Sequence, residues 1–194
     1  EPIRAERKYL ASFIGVKDAG GPIAWPLGHA EHSSWDKNGR GATTRRAMWE
    51  ALENKSGVYL RDCNFAGSPA YVPDFTKNLC ESTFALAPRG YGRTSFRLYE
   101  AMGLGAIPVY IYDEPWLPFA DVLDWSEFCI LCHVSRLPGL HERLRAMPAG
   151  LIDEMRGRLA EVSATYFNLE VAPRRIAELV ERVSRRACRA NITK

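Results

Sequence analysis

What this sequence lacks narrows its role before any motif is considered. No apolar run reaches the roughly 18 residues that a membrane-spanning helix needs, and the opening Glu1-Pro2-Ile3-Arg4 does not read as a signal peptide. Charge of one sign is scarce. The 26 Lys and Arg against 23 Asp and Glu leave a formal net charge of +3, too little for the electrostatic footprint of a nucleic-acid binder. The basic residues are scattered apart from short pairs such as Arg45-Arg46 and Arg185-Arg186, which leaves a small anionic ligand open. Cysteine is sparse and odd in number, 5 at irregular spacing, so no disulfide framework is announced. Cys129-Ile130-Leu131-Cys132 has the letters of a CxxC motif, but it lies in the apolar run FCILCH, which reads as a buried strand. Strand residues three apart face opposite ways, so two buried structural thiols are the expectation. Internal repeats and low-complexity tracts are also missing.

What is present fits an ordinary globular domain. The 194 residues are 46% hydrophobic and 25% charged, the size and balance of one folded unit, so residues 1–194 are read as a single domain. Five runs have strand character: Tyr9 to Ile14, Val58 to Asp62, Thr83 to Ala87, Ile107 to Tyr112 and Phe128 to His133. Most are near-continuous apolar runs, the mark of strands covered on both faces in a parallel sheet. Helical patterns fall between them. One is capped at Thr43 or Thr44 and stops at Gly57, a second covers Phe75 to Glu81, and a third runs from about Ser95 to Met102 before Gly103 and Gly105. Beyond the last strand the pattern is helical throughout, over Leu140 to Ala146, Pro148 to Phe167 and Pro173 to Cys188. The expected fold class is therefore α/β, a Rossmann-like, doubly wound parallel sheet of about five strands with a C-terminal helical segment. Ligands of such sheets sit at the carboxyl ends of the strands.

Two stretches carry candidate chemistry. Lys17 to Gly41 is a long glycine-rich segment with Trp25, His29, His32 and Trp35; His29 and His32 are candidate metal ligands, but without a third and fourth ligand nearby a mobile surface loop is the expectation, and its tryptophans leave a sugar-contacting role open. The segment Pro88-Arg89-Gly90-Tyr91-Gly92-Arg93-Thr94-Ser95-Phe96-Arg97-Leu98-Tyr99-Glu100-Ala101, between the third strand and the next helix, has the build of an anion site. Gly90 and Gly92 let backbone approach a ligand, and Thr94 and Ser95 bring a hydroxyl and N–H groups to the positive end of a helix. Arg93, Arg97 and Glu100 follow helical spacing and share a face. Glu100 leans back toward the mouth of the site, where a carboxylate can accept from two ribose hydroxyls. The same spacing equally gives a plain surface ion pair between Arg97 and Glu100. The residues alone leave that choice open.

The run STFALAPRGYGRTSFRLYEAMGLGAIPVYIYDEPWLPFADVLDW resembles the core of the exostosin family of glycosyltransferases, with PRG, S-x-R-x-x-E-A, IPV and LPF followed by Trp125 in the family's order. The opening Arg7-Lys8-Tyr9-Leu10-Ala11-Ser12-Phe13-Ile14-Gly15 resembles the family's first strand, and the likeness extends over roughly Arg7 to Cys132. The resemblance implies the C-terminal, donor-binding half of a GT-B enzyme that transfers a sugar with inversion, from a nucleotide sugar to a glycan hydroxyl. A UDP-sugar is the expected donor, without a metal or other cofactor. By position, Gly15 and its loop approach the donor, Arg45 or Arg46 the phosphates, Arg89 and Gly90 the nucleoside, Ser95 and Arg97 the diphosphate, and Glu100 the ribose; Arg93 and Thr94 of the same segment are further donor-binding candidates. Asp113 and Glu114 are the nearest candidates for the catalytic base. The implied partners are the glycan acceptor and an N-terminal acceptor-binding half or a partner subunit. The competing class is a non-catalytic nucleotide-sugar-binding or assembly module. A dinucleotide oxidoreductase ranks last, because Gly15-Val16-Lys17-Asp18-Ala19-Gly20-Gly21 lacks the glycine spacing that class needs. The compartment stays open between the Golgi lumen of a eukaryotic exostosin-type parent and the cytoplasm of a viral or bacterial one. The triplets Asn54-Lys55-Ser56 and Asn191-Ile192-Thr193 are glycosylation sequons only in a secretory lumen.

Overall fold

The apolar runs become five parallel strands in the computed structural model, which describes residues 7–17, 40–63, 74–90 and 92–168 together with 173 and 177. They are β1 (Tyr9–Gly15), β2 (Val58–Asp62), β3 (Ser82–Pro88), β4 (Ile107–Tyr112) and β5 (Ile130–His133). The helices between and after them are α1 (Arg40–Leu52), α2 (Phe75–Cys80), α3 (Phe96–Gly103), α4 (Leu140–Arg145) and α5 (Ala149–Tyr166). The sheet order is β2-β1-β3-β4-β5. The order reverses between β1 and β3, and in open α/β sheets such a reversal leaves a crevice beyond the strands' carboxyl ends. Ala11 stands opposite Val58 on one side, and on the other Ala11 faces Phe84, which in turn faces Ile107.

Both faces of the sheet are covered, which is why its strands do not alternate in polarity. On one face Phe13, Phe84, Leu86, Val109, Ile111, Ile130 and Cys132 pack with Met48, Trp49 and Leu52 of α1, Leu140 and Leu144 of α4, and Met155 of α5. On the other, the small side chains Ala85 and Ala101 bring α3 close, and Leu79 of α2 fills in beside them. Truncating a side chain as fully buried as Phe84 (0% exposed) costs about 3–5 kcal/mol. At the amino end of the sheet Arg7 acts as a clamp. Its Nη1 donates to the carbonyls of Leu79, Cys80 and Ser82, and its Nη2 to that of Gly105 at 2.9 Å, closing the ends of α2 and α3, where helical carbonyls lack partners.

Several boundaries differ from the sequence expectation; the first helix, for example, ends at Leu52 and not at Gly57, and β5 begins only at Ile130. The first helix already includes Arg40, so Thr43 and Thr44 lie inside it, and Thr44 is buried in the interior instead of capping. Phe128 belongs to no strand. Trp125–Glu127 form a 3-10 turn capped by Asp124, whose side chain accepts from the Ser126 N–H, and Phe128 closes that turn before β5 begins. The apolar run is thus shared by a turn and a strand, both facing the core. Cys129 and Cys132 are buried, and burial pushes the Cys129 thiol up to about 12, which suits inert packing thiols. The chain divides into two compact units, Glu1–Leu159 and Ala160–Lys194. The first holds the sheet. Of the second, residues 160–166 continue α5. The expected helix over Pro173 to Cys188 and the histidines of the Lys17 to Gly41 segment lie outside the described residues, apart from isolated positions.

Candidate functional site

The crevice between β1 and β3 gathers residues from three elements. β1 ends at Gly15, where a Cβ would come within 2.8 Å of the Phe13 ring; a side chain there would displace a ring packed edge-on to Trp49. From α3, Arg97 reaches across the strand ends and donates from Nη2 to the Ile14 carbonyl at 2.6 Å. From α1, Arg45 Nη1 lies 3.4 Å from the Val16 carbonyl, and its Nη2 is 4.0 Å from where a Cβ on Gly90 would stand. Gly15, Arg45, Gly90 and Arg97 are thereby brought together.

Arg97 is the most unusual cation of the group. Its side chain is only 14% exposed and its guanidinium lies over the Phe75 ring at 4.2 Å and the Phe13 ring at 5.5 Å. Burial, reinforced by the charge of Arg45 and opposed by Glu100, lowers its pKa. Nε is 3.3 Å from Glu100 Oε2 without meeting hydrogen-bond geometry, and Nη1 is buried with no partner among the described residues. A desolvated cation with unmet donors is costly unless an anion completes it. The Arg97–Glu100 pair does form, but one partner is stacked and buried while the carboxylate stays 44% exposed.

The β3–α3 loop presents the end of α3 to the same crevice. The Gly90 N–H bonds back to the Thr94 carbonyl at 3.0 Å, which folds the loop over itself. Ser95 holds the N-cap position with extended backbone and makes no capping side-chain bond. The Leu98 N–H bonds to the Ser95 carbonyl at 3.1 Å, which leaves the Phe96 and Arg97 N–H groups at the open end of α3.

A second cluster lies on the β4 side. Arg89 does not turn toward the crevice: its side chain, 7% exposed, places Nη1 2.6 and 2.9 Å from the two oxygens of Asp113. Glu114 pairs with Arg40 at 2.7 Å and Arg93 at 2.9 Å, and Arg40 also lies 3.9 Å from Asp113. Burial pushes the Asp113 carboxyl up, but the hydrogen bonds from Arg89 and the Glu114 N–H outweigh it and the net shift is downward. The Glu114 carboxyl is lowered by its bond from Arg40 and the charge of Arg93. Both are thus weakened as proton acceptors. Arg46, by contrast, is exposed on α1 and stands apart from Arg45.

Sequence reasoning missed Tyr110. Buried in mid-strand at 0% exposure, it donates from its hydroxyl to the Arg93 carbonyl at 2.6 Å and accepts from the Trp116 N–H at 3.1 Å. It ties the β3–α3 loop to the loop after β4. The signal was a tyrosine in the middle of a buried apolar strand, since a buried tyrosine hydroxyl usually finds partners. Arg40 was missed as well, because its partners lie 74 positions away. Among the described residues no group of three or more His, Cys, Asp or Glu could hold a metal ion, and no helix is long and apolar enough to cross a membrane.

A parallel, doubly covered sheet, with Arg45 and Arg97 at the carboxyl ends of its strands where the order reverses, defines a Rossmann-like α/β domain. The profile of the exostosin GT47 domain matches residues 1–147, and the chain belongs to that family. It is 35% identical over 124 residues to a probable glucuronosyltransferase of Oryza sativa subsp. japonica, an alignment covering 64% of this chain and 28% of the relative. A probable beta-1,4-xylosyltransferase of Arabidopsis thaliana is 34% identical over 124 residues, with the same 64% and 28% coverage. Exostosin-1 of Drosophila melanogaster is 34% identical over 177 residues, 84% of this chain and 21% of that protein. The chain thus spans between a fifth and a third of the length of these relatives.

Proposed function

We propose that the β1/β3 crevice holds the diphosphate of a nucleotide sugar, with a UDP-sugar as the first candidate, and that this chain is the donor-holding part of an inverting glycosyltransferase. The observation that carries the reading is Arg97, a buried guanidinium with an unmet Nη1 donor beside Arg45 at the mouth of the crevice. In this reading Arg45, Arg97, Ser95 and the N-terminus of α3 face the diphosphate, Gly15 and Gly90 admit it, and Glu100 turns its exposed carboxylate to the ribose. Transfer forms a bond between the acceptor oxygen and the anomeric carbon as the bond to the diphosphate oxygen breaks. The electron pair leaves with the diphosphate, and the acceptor proton passes to a base. Preorganised guanidiniums and helix N–H groups stabilise that leaving charge without calling on a metal.

Asp113 and Glu114 lie on the donor-sugar side of this arrangement. Their ion pairs favour a role in holding Arg89, Arg40 and Arg93 over accepting the proton. The base and the acceptor-holding wall are assigned to an N-terminal half or a partner subunit. The small share of its relatives that the chain spans keeps the second reading, a nucleotide-sugar-binding module without catalysis. The test is thermal unfolding with UDP and UDP-sugars. Ligand at about 100 times its Kd stabilises by roughly 2.7 kcal/mol, which for a chain of this size raises Tm by about 5–10 °C. Glu100→Gln, which touches an exposed group, is expected to weaken binding about tenfold, the loss of one bond of roughly 1.4 kcal/mol. No shift at millimolar nucleotide defeats the proposal. Binding without an extended glycan, measured by mass spectrometry on the full-length protein, selects the module.

A further inference from the structure

A second recess opens at the same, carboxyl end of the strands, over β4 and β5 instead of between β1 and β3. It encloses about 300 Å3 and is lined by Tyr112, Leu131, His133, Ser135 and Arg136, at the small end of ligand sites but large enough for one monosaccharide-sized group. Tyr112 and His133 are the last residues of their strands and stand opposite each other in register, so their side chains share a face. The rings meet edge to face at 5.7 Å.

The hydrogen bonds fix which way the imidazole works. His133 Nδ1 accepts from the Ser135 N–H at 3.3 Å and lies 2.8 Å from Ser135 Oγ. A backbone amide can only donate, so the ring proton sits on Nε2. The recess therefore presents donors: His133 Nε2–H, the Tyr112 hydroxyl and the exposed Arg136 guanidinium, none with a hydrogen bond or ion pair among the described residues. Arg143, bonded through Nη1 to the Leu131 carbonyl at 3.4 Å, adds positive charge beside the same strand. No carboxylate lines the recess among the described residues. Three donors lining one recess with no acid to balance them match an oxyanion.

We propose that this recess is an oxyanion subsite, taking a carboxylate or phosphate group against Arg136, His133 Nε2–H and the Tyr112 hydroxyl. The proposal does not rest on the nucleotide reading, since none of the recess residues belongs to the β1/β3 crevice. The two sources of such a group, an acidic sugar and free phosphate, share this chemistry and are separated by the test. Isothermal titration of the full-length protein with sodium glucuronate, inorganic phosphate and neutral glucose is compared for wild type, Arg136→Ala and Arg45→Ala. At least one anion is expected to bind about tenfold or more tighter than glucose, Arg136→Ala to lose that advantage, and Arg45→Ala to keep it. Tighter binding of glucuronate than phosphate assigns an acidic sugar; the reverse order assigns the free anion. Arg136 is exposed, so its removal leaves the fold intact. The proposal is overturned if neither anion binds better than glucose. It is equally overturned if binding falls in Arg45→Ala and survives in Arg136→Ala, which would put the anion in the crevice.

Discussion

Removing one oxygen atom, in Tyr110→Phe, should loosen both loops of the candidate site while leaving the core filled. The ring stays in a fully buried position, so no cavity forms. What disappears is the pair of bonds from the hydroxyl to the Arg93 carbonyl and from the Trp116 N–H, at 2.6 and 3.1 Å. Each contributes about 0.5–1.5 kcal/mol net. Trp116 is 48% exposed, so water replaces part of the loss, and about 1–2 kcal/mol is expected for the whole change. That corresponds to a fall in Tm of roughly 2–8 °C, read by calorimetry. Hydrogen exchange supplies the second reading: amides of residues 92–95 and 113–118 should exchange faster together, because one hydroxyl serves both loops. Nucleotide affinity should drop as well, since the Arg93–Glu114 pair and the entrance to α3 then hold their places less firmly. If Tm moves by less than about 1 °C and neither loop exchanges faster, the hydroxyl does not link them and the reasoning fails.

Two further outcomes separate the carboxyl end of the strands from the opposite end. Asp113 has a folded pKa below its unfolded value, so its contribution to stability is present above about pH 4 and is lost as pH falls through the folded value. Acid titration of Tm should therefore fall less steeply below about pH 4 in Asp113→Asn than in wild type, and identical slopes would refute the pairing with Arg89. Arg7→Ala removes four carbonyl contacts at the amino end and should cost about 2–3 kcal/mol in denaturant unfolding. Nucleotide Kd should stay unchanged; an altered Kd would show that the clamp and the crevice are coupled.

The five strands could be read from the sequence because a buried parallel strand is written locally, as a short apolar run between turn residues. The placement of α3 was legible for a similar reason: Ser95 opens it and glycines follow it, and the helix runs Phe96–Gly103. Pairings across the sheet were not legible. That Arg89 turns to Asp113 and Arg40 to Glu114 depends on which strands become neighbours, and sequence spacing carries no such information. The start of α1 was misplaced because Thr44 looks like a cap by type, whereas its burial against the core decides its role. For Arg97 and Glu100 the spacing gave the contact but not its meaning. The two aromatic rings beneath the guanidinium come from β1 and from α2.

The order of the strands also has a kinetic consequence. β1 lies between β2 and β3, with Ala11 opposite Val58 and Tyr9 opposite Ser82, so each of its pairings closes a long loop. Such contacts are slow to form because chain entropy is lost before they bring any gain. The crevice exists only once β1 is seated and Arg97 has reached the Ile14 carbonyl across it. A ligand that recognises the crevice therefore meets a chain that has already passed its main barrier. It acts by retarding escape from the native state and leaves the rate of arrival unchanged.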